Sequence, residues 1–251
     1  MTNEIGPTEP EPVESALPDL ARPDAGLILM SQWQTDGPER QRTVMAGVMD
    51  VWREADLPVA YLARHCLAGS DGRTILNYAQ WATSEGHRAF AADPRNQRTV
   101  ARGVEALISA GPPGRFTLHR SVVLDPGAVA RSFGAISYDT GGLAESRALV
   151  RELAERTAAA PASGTLIAEH LHISEDGARV RVLSAYEDDG DDAGDISGLR
   201  FRPFRGLVRP RRDLEDTTDP RACLRSPVWP TTPGTHARRV VGVIQVRPVR
   251  G

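Results

Sequence analysis

The sequence predicts an α+β protein made of two tandem copies of one β-α-β-β-α-β unit, the second copy degenerate. Three observations carry this. Strand and helix signals follow that order between residues 26 and 124. The same signals return under a shift of 105 residues, which sets Trp33 on Tyr138. The first 24 residues, acidic and proline-rich, stand apart from both copies. A chain of 251 residues has room for two cores of ordinary domain size.

Each element has its own signal. Residues 27–34 (LILMSQWQ) read as a strand. Asp36-Gly37-Pro38 opens a helix, with Asp36 as the expected cap and Pro38 in the first turn. Val44, Val48, Val51 and Trp52 give it one apolar face, and Leu57-Pro58 ends it. Residues 59–67 (VAYLARHCL) form the second strand and 73–82 (RTILNYAQWA) the third, joined by a hairpin at Gly69-Ser70-Asp71-Gly72. Ser84 caps the next helix, which Asp93-Pro94 interrupts before it resumes to about Ala110. Gly111-Pro112-Pro113-Gly114 breaks it, and 115–124 (RFTLHRSVVL) make the fourth strand. This order is the split βαβ of ferredoxin-like folds, with helices on one face of a four-stranded antiparallel sheet.

Under the shift, Val44 falls on Leu149, Val48 on Leu153, His65 on His170, Ser70-Asp71-Gly72 on Glu175-Asp176-Gly177, and Trp81 on Tyr186. No gap is needed from residue 31 to 81. Identities are few; the coincidence of two aromatics, a turn, a helix face and a hairpin tip carries the repeat. Beyond Tyr186 the copies diverge. An acidic loop at 187–192 and an Arg- and Pro-rich insertion at about 188–235 replace the second helix, and a last strand is expected at 237–248. The expected domains are therefore a disordered tail at 1–24, a first unit at 25–125 and a degenerate second unit at 126–251.

Composition narrows the function. The net charge of −3 gives no general attraction to nucleic acid. No apolar run approaches the roughly 20 residues that span a bilayer. The N-terminus has neither the basic nor the apolar region of a secretory signal, so a cytoplasmic protein is expected. All 30 basic residues are arginine, so one arginine carries little information by itself. Cys66 and Cys223 lack partners at metal spacing.

The most distinctive stretch is Asn77-Tyr78-Ala79-Gln80-Trp81-Ala82-Thr83-Ser84-Glu85, followed by Phe90, Asp93 and Pro94. It resembles the antibiotic biosynthesis monooxygenase family of dimeric α+β-barrel proteins, well over 25–124 and weakly over 132–187. Four expectations follow from the resemblance. The chain would form a pseudo-dimeric barrel from its own two copies, with room for a homodimer of such chains. It would oxidise an anthrone- or hydroquinone-type aromatic polyketide with O2, in antibiotic or secondary-metabolite biosynthesis. It would need no flavin, haem or metal. Its site would hold Asn77, Trp81 and an arginine from the second helix, Arg98 or Arg102.

The residues themselves fit that chemistry. Asn77, Ala79 and Trp81 share one strand face. An amide and an indole N–H flank a small residue, which leaves room for a flat ligand. Donors fixed in a dry pocket stabilise an oxyanion better than water does. Plainer readings stand beside these. Trp81 fits a core position as well as a pocket, whereas Asn77 on a buried strand needs a partner. Tyr78 and Gln80 face the other way, toward the place where the two sheets meet. His65 and His170, repeated in both copies, point to structure. Haem-degrading relatives carry an axial histidine on the second helix, where this chain has Phe90, Ala91 and Ala92, with His87 off that position. Two other functions stay open: a polyketide cyclase on the same fold, and a non-catalytic module that binds a small aromatic ligand.

Overall fold

The computed structural model describes residues 10–98, 112–160, 164–189 and 199–211. Among these described residues, nine strands and four helices follow one another. They are β1 (Val13–Glu14), β2 (Leu27–Gln34), α1 (Pro38–Glu54), β3 (Tyr61–Gly69), β4 (Thr74–Trp81), α2 (Ser84–Ala92) and α3 (Pro94–Asn96). Then come β5 (Gly114–Val123), β6 (Ser132–Asp139), α4 (Leu143–Ala158), β7 (Leu166–Ser174), β8 (Arg179–Tyr186) and β9 (Arg200–Val208). Among the described residues, no helix is long and apolar enough to cross a membrane.

The strands pair in the order β9-β3-β4-β2-β5-β7-β8-β6, and β6 returns to β9, so the sheet closes into an eight-stranded antiparallel barrel. Each copy contributes four strands in equivalent places: β3-β4-β2-β5 from the first and β7-β8-β6-β9 from the second. The last strand of each copy pairs with the second strand of the other, β5 with β7 and β9 with β3. Two open four-stranded sheets thus remove each other's edges, which closure alone does completely.

The repeat is visible in small contacts. Thr35 N donates to Arg73 O at 2.9 Å, and Thr140 N to Ala178 O at 2.8 Å. Gln41 at the start of α1 donates to Gly69 O and Thr74 O; Ser146 at the start of α4 donates to Gly177 O. Gly72 and Gly177, 105 residues apart, both have positive φ, 68° and 71°, where a Cβ would be strained.

Alternation along the strands sorts the core into three. Ile28, Met30, Leu67, Tyr78, Phe116, Phe133, Leu183 and Phe201 fill the barrel, and they come from both copies. Leu27, Leu29, Ile75, Ala79 and Trp81 face outward onto α1 and α2. Leu171, Ile173, Val180 and Val182 face α4. Tyr78 and Gln80 are buried where the sheets meet, as the alternation implies. His65, His170 and His172 are also buried, and their burial holds them neutral, at about 4, 4 and 3.

Four expectations change. Residues 10–24 are ordered. β1 pairs with β9, Leu20 is buried in the barrel core, and the buried Arg22 donates to Leu62 O and Arg209 O. These long-range bonds offset the ordering entropy that local composition cannot. The fourth strand of the second copy is β9 at Arg200–Val208, inside the stretch read as a surface insertion, and the strand expected at 237–248 lies outside the described residues. Thr83 rather than Ser84 caps α2, accepting from Gly86 N. Gly37 rather than Asp36 takes the N-cap of α1, without a side-chain bond.

Candidate active site

β4 places Asn77, Ala79 and Trp81 on the outward face, beneath α1 and α2. β3 runs beside it, with Cys66 opposite Asn77 and Arg64 opposite Ala79. α1 brings Trp52 over this face, because its apolar stripe of Val44, Met45, Val48, Met49 and Trp52 is the one it buries. α2 brings Phe90. The close approach of α2 depends on Gly86, where a Cβ would sit 2.3 Å from that of Ala60.

The result is an aromatic enclosure around a buried cation. Trp52 stacks on Tyr61 at 5.8 Å and on Phe90 at 5.6 Å between ring centroids. Trp81 meets Tyr61 edge-on at 5.6 Å and Phe90 at 5.2 Å. The Arg64 guanidinium lies over the Trp52 ring, 4.6 Å from its centroid. Its Nη2 donates to Asn77 Oδ1 at 3.1 Å, and Cys66 Sγ donates to the same oxygen at 3.4 Å. These two donors fix the amide, so its Nδ2 faces away from them.

What remains on this face is a set of unused donors. Asn77 Nδ2, Arg64 Nε, Trp81 Nε1 and Trp52 Nε1 are all buried without a hydrogen-bond partner. Among the described residues no carboxylate pairs with Arg64, which is 9% exposed. Burial pulls its pKa down from the ordinary arginine value, yet a guanidinium remains charged across the physiological range. A buried cation with no counter-ion costs several kcal/mol, and each orphaned donor adds about 1–3 kcal/mol. Four orphans of one sign, on one face, fit an acceptor that is not part of the chain.

The neighbouring acids are turned off. Burial pushes the Cys66 thiol up to about 11. It pushes the Tyr61 hydroxyl well above its usual range, and that hydroxyl donates to Leu207 O at 2.7 Å. A cavity of about 330 Å3 opens at the C-terminal end of α1, lined in part by Arg53, Asp56, Leu57, Leu207 and Arg209. Leu57 and Leu207 also pack against the aromatic enclosure.

The residues expected from sequence divide. Asn77 and Trp81 lie together in this cluster. Arg98 is exposed, unlike the buried residues of the cluster, and Arg102 lies outside the described residues. The cation at the centre is Arg64, which sequence reasoning missed. The signal for it was the hairpin: residues equidistant from Asp71-Gly72 face each other, which pairs Arg64 with Ala79 and Cys66 with Asn77. The second copy keeps none of this. The shift sets Arg64 on Glu169, Asn77 on Val182, Trp52 on Thr157 and Ala79 on Ser184. Glu169 there accepts from both Thr157 and Ser184. The equivalent place is anionic and already satisfied.

Known proteins give the fold its context. No family model and no curated protein matches the chain. Among solved structures it is similar to an anthrone oxidase-like protein, with a TM-score of 0.59 and 14% identity, over 76% of this chain and 96% of that one. A monooxygenase of Streptomyces coelicolor, crystallised with nanaomycin D, aligns at 29% identity over 39% of this chain and 89% of that one, with a TM-score of 0.32. At 14% identity the first likeness speaks for fold alone, and it extends over more of the chain than one copy supplies. The chain has the fold of that anthrone oxidase-like protein, an α+β barrel that its own two four-stranded copies close on one polypeptide.

Proposed function

We propose that the protein is a cofactor-independent monooxygenase that oxidises an anthrone- or hydroquinone-type aromatic polyketide with O2. The observation that carries this is the donor-only face: Asn77 Nδ2, Arg64 Nε and two indole N–H groups, buried and unpaired around a carboxylate-free guanidinium. Such a face selects an anion whose charge is spread over a flat ring. Arg64 and Asn77 stabilise the oxygen, while Trp52, Phe90 and Trp81 supply apolar walls. The exclusion of water strengthens each of these interactions.

An aromatic oxyanion of this kind reduces O2 directly, because its electrons are held loosely once the proton has gone. For an anthrone, the methylene carbon loses two hydrogens and gains one oxygen atom from O2, and the second oxygen atom leaves as water. The chain's part is to hold the oxyanion and to keep bulk water out. The cavity beside Leu57 and Leu207 is the proposed route for the substrate.

Purified, metal-free protein is expected to consume oxygen with a substrate of this class. Asn77→Ala is expected to slow turnover by about 10²–10³-fold, the usual cost of one oxyanion donor, with the fold intact by circular dichroism. Folded wild-type protein that consumes no oxygen across a panel of anthrones and hydroquinones would overturn the reading. Product that also forms without oxygen would assign the site to a cyclase.

A further inference from the structure

We propose that Glu175, carried by the second copy, is a positioning residue for the first copy's site: through Arg115 and Ser84 it fixes the start of α2 and sets the His87 ring against Trp81 with its proton on Nε2. The proposal rests on the functional reading above for what the site does, but the contacts stand without it.

Glu175 sits in the hairpin between β7 and β8. Its Oε2 accepts from Arg115 Nε at 2.7 Å and its Oε1 from Arg115 Nη2 at 3.2 Å, a two-point grip. Ser84, the first residue of α2, donates to Glu175 Oε1 at 2.8 Å and accepts from Arg115 Nη2 at 2.5 Å. The remaining arm, Arg115 Nη1, lies 3.0 Å from His87 Nδ1. Arginine only donates, so Nδ1 must accept, and the imidazole proton is on Nε2. The His87 ring stands edge to face with Trp81, centroids 5.0 Å apart at 77°. One carboxylate of the second copy is thus linked, through two side chains, to the indole at the end of the donor face.

The corresponding corner on the other side of the barrel shows that the fold does not need this acid. There Ser70 stands where Glu175 stands here. Ser70 N donates to Arg200 O at 2.8 Å, and Glu175 N donates to Arg115 O at 2.9 Å, so the backbone closes alike at both corners. At the Ser70 corner the arginine side chain instead lies over Tyr186, 3.2 Å from its ring centroid. Of these two corners, only the one at the start of α2, next to His87 and Trp81, carries the acid. The Arg115 and Glu175 side chains are 25% and 36% exposed, a setting in which an ion pair adds little to stability. What it does supply is orientation.

The groups that act on His87 are Arg115 on β5, Arg88 on its own helix and Glu175 on the hairpin. Burial is the largest cause of its low pKa, about 4, and both arginines add to it, while Glu175 opposes it. Removing Glu175 has two opposed effects. The lost negative charge lowers the value slightly. The release of Arg115 and of the α2 start lets water in and the guanidinium away, and this larger effect raises it.

Nitrogen NMR of 15N-histidine protein reads this directly, with the His87 signals assigned by their loss in His87→Gln. In wild type, His87 should show the Nε2–H pattern and protonate only near pH 4. In Glu175→Ala the midpoint should rise by about two pH units, toward the ordinary histidine value, and the tautomers should mix. Glu175→Gln, which keeps an acceptor for Ser84, should recover part of the difference. A midpoint in Glu175→Ala within about half a pH unit of wild type, or an Nδ1–H ring in wild type, would overturn the proposal. If Glu175→Ala does not fold, Arg115→Met gives the same reading, since it removes the donors to Glu175, Ser84 and His87 at once. The measurement uses no substrate, so an inactive wild-type protein with the expected His87 behaviour would count against the oxygenase reading and not against this one.

Discussion

Arg64→Met is expected to lower kcat/KM by about 10²–10³-fold while leaving the protein as stable as before or more so. Two different terms give these opposite signs. For catalysis, Arg64 supplies a full positive charge at the donor face, over Trp52 and bonded to Asn77. Its loss removes oxyanion stabilisation in a dry site, where such stabilisation is largest. For folding, the same charge is buried without a carboxylate. Methionine, which reaches as far as the arginine Nε, removes the desolvation cost and keeps the aliphatic part of the packing. Replacing buried charges by apolar residues is often neutral, or stabilising by about 1–4 kcal/mol. Cys66 still donates to Asn77 Oδ1, so the amide keeps one anchor. Thermal denaturation paired with oxygen-consumption rates tests both signs. A marked loss of stability in Arg64→Met would mean that Arg64 is a structural tie.

Deleting residues 1–24 is expected to lower stability by about 3 kcal/mol or more, since Leu20 alone is worth what a buried leucine usually is. For a chain of this size that is a fall of roughly 6–12 °C in Tm. The segment closes one end of the barrel. Leu20 joins the inner core, and Gln80 donates to Asp19 O at 2.8 Å. Arg22 and Arg209 lock the crossing: Arg22 donates to Arg209 O at 2.7 Å, and Arg209 donates to the carbonyls of Pro10, Leu57, Pro58 and Tyr61. A truncated protein that melts with wild type would show these contacts to be incidental.

These two cases mark what could be read from the sequence. The framework was legible because it rests on local signals: period-two strands, an amphipathic helix and glycine turns that recur at one spacing. Asn77, Ala79 and Trp81 share a face for the same reason. The N-terminal segment was not legible, because its order comes from arginine-to-carbonyl bonds spanning up to 199 residues, which leave no pattern in proline-rich sequence. Strand β9 was hidden in the same way. Arg202, Pro203 and Arg205 break the apolar alternation, although the strand joins both copies. Arg64 was obscured by composition, since in a chain whose 30 basic residues are all arginine one more draws no notice. Only its pairing across the hairpin sets it beside Asn77.

The most direct test of an oxyanion-binding face is the ionisation of a bound phenol. A hydroxyanthraquinone changes colour when it loses its phenolic proton, so its titration can be followed by visible absorbance both free and bound to the wild-type protein. The expected result is a midpoint lowered on binding by about 1–3 pH units, the usual effect of a guanidinium within about 4–6 Å of an acid. A bound phenol that ionises at the same pH as the free one, or higher, would contradict the assignment of Arg64, Asn77 and Trp81 to an oxyanion site.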